Sequence, residues 1–173
     1  MNLAAKIRTV PNFPKQGISF KDITTVLKDA KALEYSLEQL YDHYKNRGIT
    51  KVVGIESRGF IIGAALAYKL GAGFVPIRKP GKLPAETTRQ NYQLEYGSDS
   101  MEIHNDAISA GENVIIHDDV LATGGTMEAA CKLVHQLGGN IVGLSFLVEL
   151  SFLQARKKLA GYEIISLVTY DSE

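Results

Sequence analysis

The sequence predicts an α/β domain: a mostly parallel central sheet with helices on both faces. Three observations lead there. Short β-branched runs alternate with helix-length amphipathic or apolar stretches, so that strand, helix and strand recur as βαβ units. Ile141 to Val148 is apolar almost without alternation, the pattern of a strand buried on both faces. The length of 173 residues and 45% hydrophobic content suit one domain with one core.

The elements follow in order. Asp29 is a plausible N-cap, and Leu33, Leu37, Leu40, Tyr41 and Tyr44 recur at helical spacing before Gly48 stops the run. Lys51 to Ile55 is a β-branched strand, Gly59 to Leu70 an apolar helix closed by Gly71, and Gly73 to Ile77 the next strand. The unit recurs as strand Asn113 to Asp118, helix Thr126 to Leu137 with Gly138 and Gly139 behind it, and strand Ile141 to Val148. A short helix around Phe152 to Leu159 and a strand from Glu163 to Val168 complete the pattern. One segment breaks the rhythm. Arg78 to Asn91 carries little core material and predicts a long mobile loop, feeding a hairpin whose apolar positions Tyr92, Leu94, Tyr96 and Met101, Ile103 flank Gly97-Ser98-Asp99. A loop longer than about 12–15 residues in a compact domain is usually functional or disordered.

Composition narrows the function classes. Lys plus Arg equals Asp plus Glu at 19 each, so no global basic field attracts nucleic acid or an anionic membrane. The single Cys131 forms no intrachain disulfide, and the first residues lack the apolar core of roughly 7–15 residues that a secretory signal needs. No apolar run approaches the roughly 20 residues of a membrane span. The cytoplasm is the expected compartment.

The stretch "VIIHDDVLATGGT", Val114 to Thr126, carries the chemistry. A buried strand that ends in a Gly-rich turn and starts a helix leaves free amide N–H groups, with the positive end of the helix dipole behind them. Gly124 and Gly125 permit close approach of backbone to an anion, and Thr123 and Thr126 add hydroxyls. Neither GxxxxGK[ST] nor GxGxxG occurs, which disfavours nucleoside triphosphates and dinucleotides. Asp118 and Asp119 sit where the strand leaves its pleat, placed to accept from sugar hydroxyls or to hold a hydrated Mg²⁺.

This stretch resembles the phosphoribosyl pyrophosphate (PRPP) loop of the type I phosphoribosyltransferases. "FPKQGISFKDIT" (Phe13 to Thr24), "GIESRGFIIGAALA" (Gly54 to Ala67), "RKPGKLP" (Arg78 to Pro84) and "YQLEYGSDSMEIHNDAI" (Tyr92 to Ile108) are similar to the branch of that family that acts on adenine. The likeness covers nearly the whole chain in the family's order. It implies the family's fold in a single domain over 1–173, with a small N-terminal base-binding hood over 1–28 and a flexible lid loop and hairpin over 78–104. It implies purine salvage: transfer of the 5-phosphoribosyl group from PRPP to adenine, giving AMP and pyrophosphate, with Mg²⁺ as cofactor. A homodimer without nucleic-acid or membrane partners is implied as well.

The resemblance also distributes roles. Ala122, Thr123, Gly124, Gly125 and Thr126 grip the 5-phosphate, while Asp118 and Asp119 face the ribose hydroxyls and hold the metal through water. Ser57 and Arg58 take pyrophosphate, Arg58 by its planar fork, at a turn expected to contain a non-proline cis peptide at Glu56-Ser57. Arg78, Lys79 and Lys82 belong to a lid that offsets the leaving group and excludes water, Arg78 in its own or its partner's site. Phe20 stacks on adenine, and main-chain groups of Ser19 and Lys21 read the purine edge. A backbone carbonyl there accepts from a 6-amino group and repels a 6-oxo group. Glu95 is the expected acid/base, with Glu102 competing for the role.

The remaining candidates are bland. His117 stands where an apolar residue is expected and implies a more solvated strand end. Cys131 reads as a small core residue. His43, His104 and His135 lack zinc spacing, and Arg156-Lys157-Lys158 reads as the wet face of a helix. Two other functions compete: a phosphoribosyltransferase for xanthine or guanine, and a non-catalytic PRPP-sensing regulator, which would call for a basic DNA-binding module absent from this chain.

Overall fold

The computed structural model describes residues 1–93 and 97–172. Its centre is a five-stranded parallel sheet of β3 (Lys51–Ile55), β4 (Gly73–Ile77), β7 (Asn113–Leu121), β8 (Asn140–Leu150) and β9 (Ile164–Tyr170), in the order β4-β3-β7-β8-β9. The chain leaves β3 for the edge strand β4, then returns to the other side of β3 as β7. The strand order reverses there, between β3 and β7, and open α/β sheets bind ligands outside the strand carboxyl ends at such a point.

Side chains alternate across the central strands. Val53, Val114, Ile116, Leu144 and Phe146 pack under α4 (Gly125–Gln136) together with Met101 and Ile103 of the hairpin. Val52, Ile115 and Leu147 pack on the other face against α2 (Ala30–Tyr44) and α3 (Gly59–Leu70). Asp29 caps α2 as its sequence position predicts: its Oδ1 accepts from the amides of Lys31 and Ala32 at 3.1 and 3.2 Å, worth about 1 kcal/mol. Ala32, Ser36, Leu40 and Tyr44 form its buried stripe. Gly59, the first residue of α3, lets that helix press onto β7, since a Cβ there would meet the His117 carbonyl at 2.9 Å.

Three regions differ from the sequence reading. The segment read as a loop to Asn91 is strand from Thr87: β5 (Thr87–Gln93) pairs antiparallel with β6 (Ser98–His104). Its residues, TTRQNYQ, are mostly polar and only half covered, so they carry no apolar signal. Arg78 and Glu102 exchange backbone hydrogen bonds at 3.0 and 2.8 Å, which ties the hairpin to the sheet edge and leaves only 79–86 as loop. The helix expected over Phe152 to Leu159 is broken into a 3₁₀ turn, Ser151–Leu153, and α5 (Ala155–Lys158), because Gln154 adopts φ 56°. The N-terminal segment forms a separate antiparallel pair, β1 (Arg8–Pro11) with β2 (Ser19–Asp22), followed by α1 (Thr24–Leu27). Both strands are too short for a periodicity to show. Among the described residues no helix is long and apolar enough to cross a membrane.

Candidate active site

The β7 strand runs past the acid pair to Leu121, and bends at Ala122 and Thr123 lead into Gly124, the N-cap of α4. Gly124 has φ 83°, a left-handed conformation that costs an L side chain roughly 1–2 kcal/mol. The first amides of α4 have no partner in their own turn. A concavity of about 80 Å³ lies over them, lined by Asp118, Ala122, Thr123, Gly124 and Thr126 among others.

A second cavity, of about 570 Å³, is walled by Ile18, Ser19, Phe20 and Lys21 on one side and Leu150, Phe152 and Leu153 on the other, with Arg58, Asp118, Asp119 and Thr123 at its floor. Phe20 meets Phe13 edge-on at 5.2 Å, and the Arg58 guanidinium lies 5.5 Å from its ring centre. Pairing of β2 with β1 fixes Lys21, whose ammonium is turned away onto Thr9 Oγ1 at 3.3 Å and the Tyr170 ring at 4.4 Å. Ser19 and Lys21 thus meet the cavity on a strand held in register.

A third cavity, of about 300 Å³, opens beside β3 and β4 and is lined by Glu56, Ser57, Arg58, Arg78, Lys79, Tyr92, Asp118, Asp119 and Thr126 among others. The Glu56-Ser57 peptide is cis. Arg58 Nε donates to Asp119 Oδ2. Arg78 forks onto Glu56 at 3.3 and 3.1 Å, and Lys79 donates its amide to Glu56 at 2.9 Å. The Arg78 guanidinium, first, and that amide hold the Glu56 carboxyl below the usual carboxylate range. Arg78 therefore lines the cavity of its own chain. The Lys79 ammonium pairs with Asp99 and reaches Tyr92 Oη at 3.1 Å. Lys82 stands farther out, its ammonium 4.0 Å from Glu56.

Asp118 lines all three cavities. Burial, and then the charge of Asp119, raise its carboxyl well above the ordinary range. Next to it His117 is fully buried, its Nδ1 2.8 Å from Ser145 Oγ, and burial lowers its imidazole to about 4. The solvated strand end expected there is corrected: α3 covers the face of β7 that carries the His117 ring, where a Cβ on Gly63 would stand 3.7 Å from it.

Glu95 lies outside the described residues. Glu102 is buried, and its carboxylate accepts from Arg89 at 2.9 and 2.6 Å and from the Gly81 amide at 3.1 Å, which braces the hairpin against the 79–86 loop. Burial raises the Cys131 thiol to about 12, as befits a core residue. His43 and His135 are hydrogen-bonded to Glu163 and Tyr162, and His104 accepts from the Ala85 amide. Arg156, Lys157 and Lys158 are exposed, as the wet face read from the sequence requires, and Arg156 also forks onto buried Glu149 at 2.7 Å on both arms. Sequence reasoning misses Ile18, Leu150, Phe152 and Leu153. The available signal is position: "LSFL" follows directly on a buried parallel strand, at the rim where ligands bind.

Comparison with known proteins gives a family context. Residues 19–165 match the family model described as phosphoribosyl transferase domain. The chain is similar to the adenine phosphoribosyltransferase of Alkaliphilus oremlandii, 57% identical over 171 residues and 99% of each chain. Its fold is similar to the crystal structure of adenine phosphoribosyltransferase from Thermoanaerobacter pseudethanolicus, with TM-score 0.94 at 57% identity, over 96% of this chain and 97% of that one. The Saccharomyces cerevisiae enzyme, crystallised with adenine and an imino-altritol bisphosphate, gives TM-score 0.91 at 42% identity, over 95% and 96% of the two chains.

Proposed function

The chain belongs to the phosphoribosyltransferase family, within its adenine phosphoribosyltransferases, and from that premise we propose which of its residues carry the reaction. The activity is transfer of the 5-phosphoribosyl group from PRPP to adenine, giving AMP and pyrophosphate. One observation carries the assignment of parts: Asp118 stands where three chemically different cavities meet. A ribose above Asp118 and Asp119 reaches the amide-rich turn with its 5-phosphate, the basic cavity with its pyrophosphate, and the largely apolar cavity with C1.

In the amide-rich turn, Ala122 to Thr126 bind the 5-phosphate through main-chain N–H groups and the Thr123 and Thr126 hydroxyls. In the base cavity, adenine packs on Phe20, with the main chain of Ser19 and Lys21 at its edge. Loss of pyrophosphate from C1 builds positive charge on the sugar, much as in glycoside cleavage. Asp118 and Asp119 stabilise that charge, while Ser57, Arg58, Arg78 and Lys79 offset the departing pyrophosphate, Lys82 joining from the loop. Adenine N9 then bonds to C1, and Glu95 assists proton movement on the imidazole ring.

Mg²⁺ fits the donor set. Two adjacent carboxyls occur, and among the described residues no cluster of three His, Cys, Asp or Glu exists, a sparse oxygen set that suits an ion held largely through water. Asp118 and Asp119 would hold the ion, which when bound supplies positive charge against the pyrophosphate.

The whole chain acts as one domain in the cytoplasm, as a homodimer. The exposed side of α3 supports the dimer: it is apolar, with Ile61 49% and Tyr68 90% exposed. The deciding experiment is release of pyrophosphate from PRPP and Mg²⁺ across a panel of purines. Adenine gives turnover, whereas hypoxanthine, guanine and xanthine fall at least about 10⁴-fold lower in kcat/KM. Equal use of a 6-oxopurine would refute the base-pocket assignment.

A further inference from the structure

The segment 151–159 borders two of the subsites at once. Phe152 and Leu153 wall the base cavity. Ala155 backs the phosphate turn: a Cβ on Gly124 would stand 3.2 Å from the Ala155 Cβ and 3.4 Å from its carbonyl oxygen. Yet the segment has little of its own to hold it. It consists of a three-residue 3₁₀ turn, a left-handed Gln154 and a four-residue helix, far below the length at which a helix is stable alone.

Ala155 and Leu159 seat it in the core and Ser151 Oγ donates to the Tyr170 carbonyl at 3.0 Å, and a salt bridge adds a tie that fixes its orientation. Arg156 Nε and Nη2 donate to the two Glu149 oxygens, each at 2.7 Å. Glu149 is 3% exposed and belongs to β8, in register with Leu121 of β7 and Thr169 of β9. The fork therefore ties the segment to the rigid carboxyl edge of the sheet, one residue beyond Ala155. A bidentate pair fixes orientation as well as distance. The Arg156 hydrogen bonds, first, also hold the Glu149 carboxyl below its usual range despite its burial.

We propose that Arg156 and Glu149 are a positioning pair, which sets the separation between the adenine subsite and the 5-phosphate subsite by clamping the segment that forms one wall of each. Neither residue touches substrate in this arrangement. They act through Phe152, Leu153 and Ala155, and the proposal rests on the subsite assignment above. Releasing the clamp loosens both subsites together and leaves the pyrophosphate cavity, to which residues 151–159 contribute no lining, as it was.

The test begins with the parent enzyme, whose adenine-dependent turnover checks the functional reading by itself. Arg156→Met, which keeps the apolar stem and removes the fork, is then compared with it below the melting temperature of both. The expected result is a KM for adenine and a KM for PRPP each raised about tenfold, with kcat within about threefold. Arg156→Lys, which keeps charge without a fork, falls between. Lys157→Met, a neighbouring exposed change, matches the parent. Should Arg156→Met fail to fold because Glu149 is left as an orphan buried charge, the double variant Glu149→Gln with Arg156→Met removes that charge, and its two KM values are expected to rise in the same way. A rise confined to one substrate, or unchanged KM values with only a lower melting temperature or kcat, overturns the proposal.

Discussion

Glu102 and Glu95 stand seven positions apart, and at the scale of single residues the surroundings of Glu102 argue against it as the acid/base. The Glu102 carboxylate is consumed by Arg89 and by the Gly81 amide, and those hydrogen bonds, the Arg89 one first, hold it below its usual range. A carboxylate so engaged is a poor proton carrier near neutral pH. Single-turnover measurement of AMP formation is expected to show Glu102→Gln within about threefold of the parent and Glu95→Gln slowed by about 10²–10⁴. An unaffected Glu95→Gln enzyme would remove Glu95 from the mechanism. The Gly-rich turn after β7 is legible in the sequence because a backbone requirement limits the choice at one position: Gly124 at φ 83° admits few alternatives. His117 is not legible. The partner that makes it tolerable inside the sheet is Ser145, 28 positions away and on another strand.

Elements are legible to the degree that one face differs from the other. The helix from Ala30 shows its cap and its stripe, and β3, α3 and β4 occupy the spans expected of them. The first strand of the hairpin is hidden because its polar residues are stabilised by pairing with β6. What joins one element to the next is least visible. Arg47 of the turn after α2 forks onto Glu163, just before β9, at 2.6 Å on both arms, and His43 of α2 adds a bond at 2.7 Å. Arg47, first, lowers the Glu163 carboxyl from 4.5 to about 2. A depressed carboxylate stabilises the fold above its unfolded value and loses that contribution as protons bind. The tie is therefore complete above pH 4.5 and fades as pH falls toward 2. Thermal melts of Glu163→Gln are expected to show a small loss of stability at pH 7, since the group is largely solvated, and a shallower decline than the parent between pH 4.5 and pH 2.

At the scale of the molecule, a recurring strand-helix-strand pattern specifies a parallel sheet but leaves the order of strands open. The order β4-β3-β7-β8-β9 puts the turn after β3 beside the turn after β7, and so brings Arg58 to Asp119 across 61 positions. The three-cavity junction follows from that crossing. The apolar side of α3 extends the argument beyond one chain, since a helix with Tyr68 90% exposed and Ile61 49% exposed would bury further area against a second copy. Sedimentation of the parent is expected to give a dimer. Tyr68→Glu is expected to shift it toward monomer at micromolar concentration, and an unshifted dimer would place the contact elsewhere.

All five strands of the sheet point the same way, so Arg58, Arg78, Asp118, Asp119 and the turn at Gly124 gather along a single rim, and none of them lies on the opposite one. There the chain turns through Gly161 with open space around it, and just ahead of β3 through Gly48. A surface tether, a purification handle or a fused reporter spliced at Gly161 would hang from the underside of the sheet. The enzyme could then be immobilised with its working edge facing the solution.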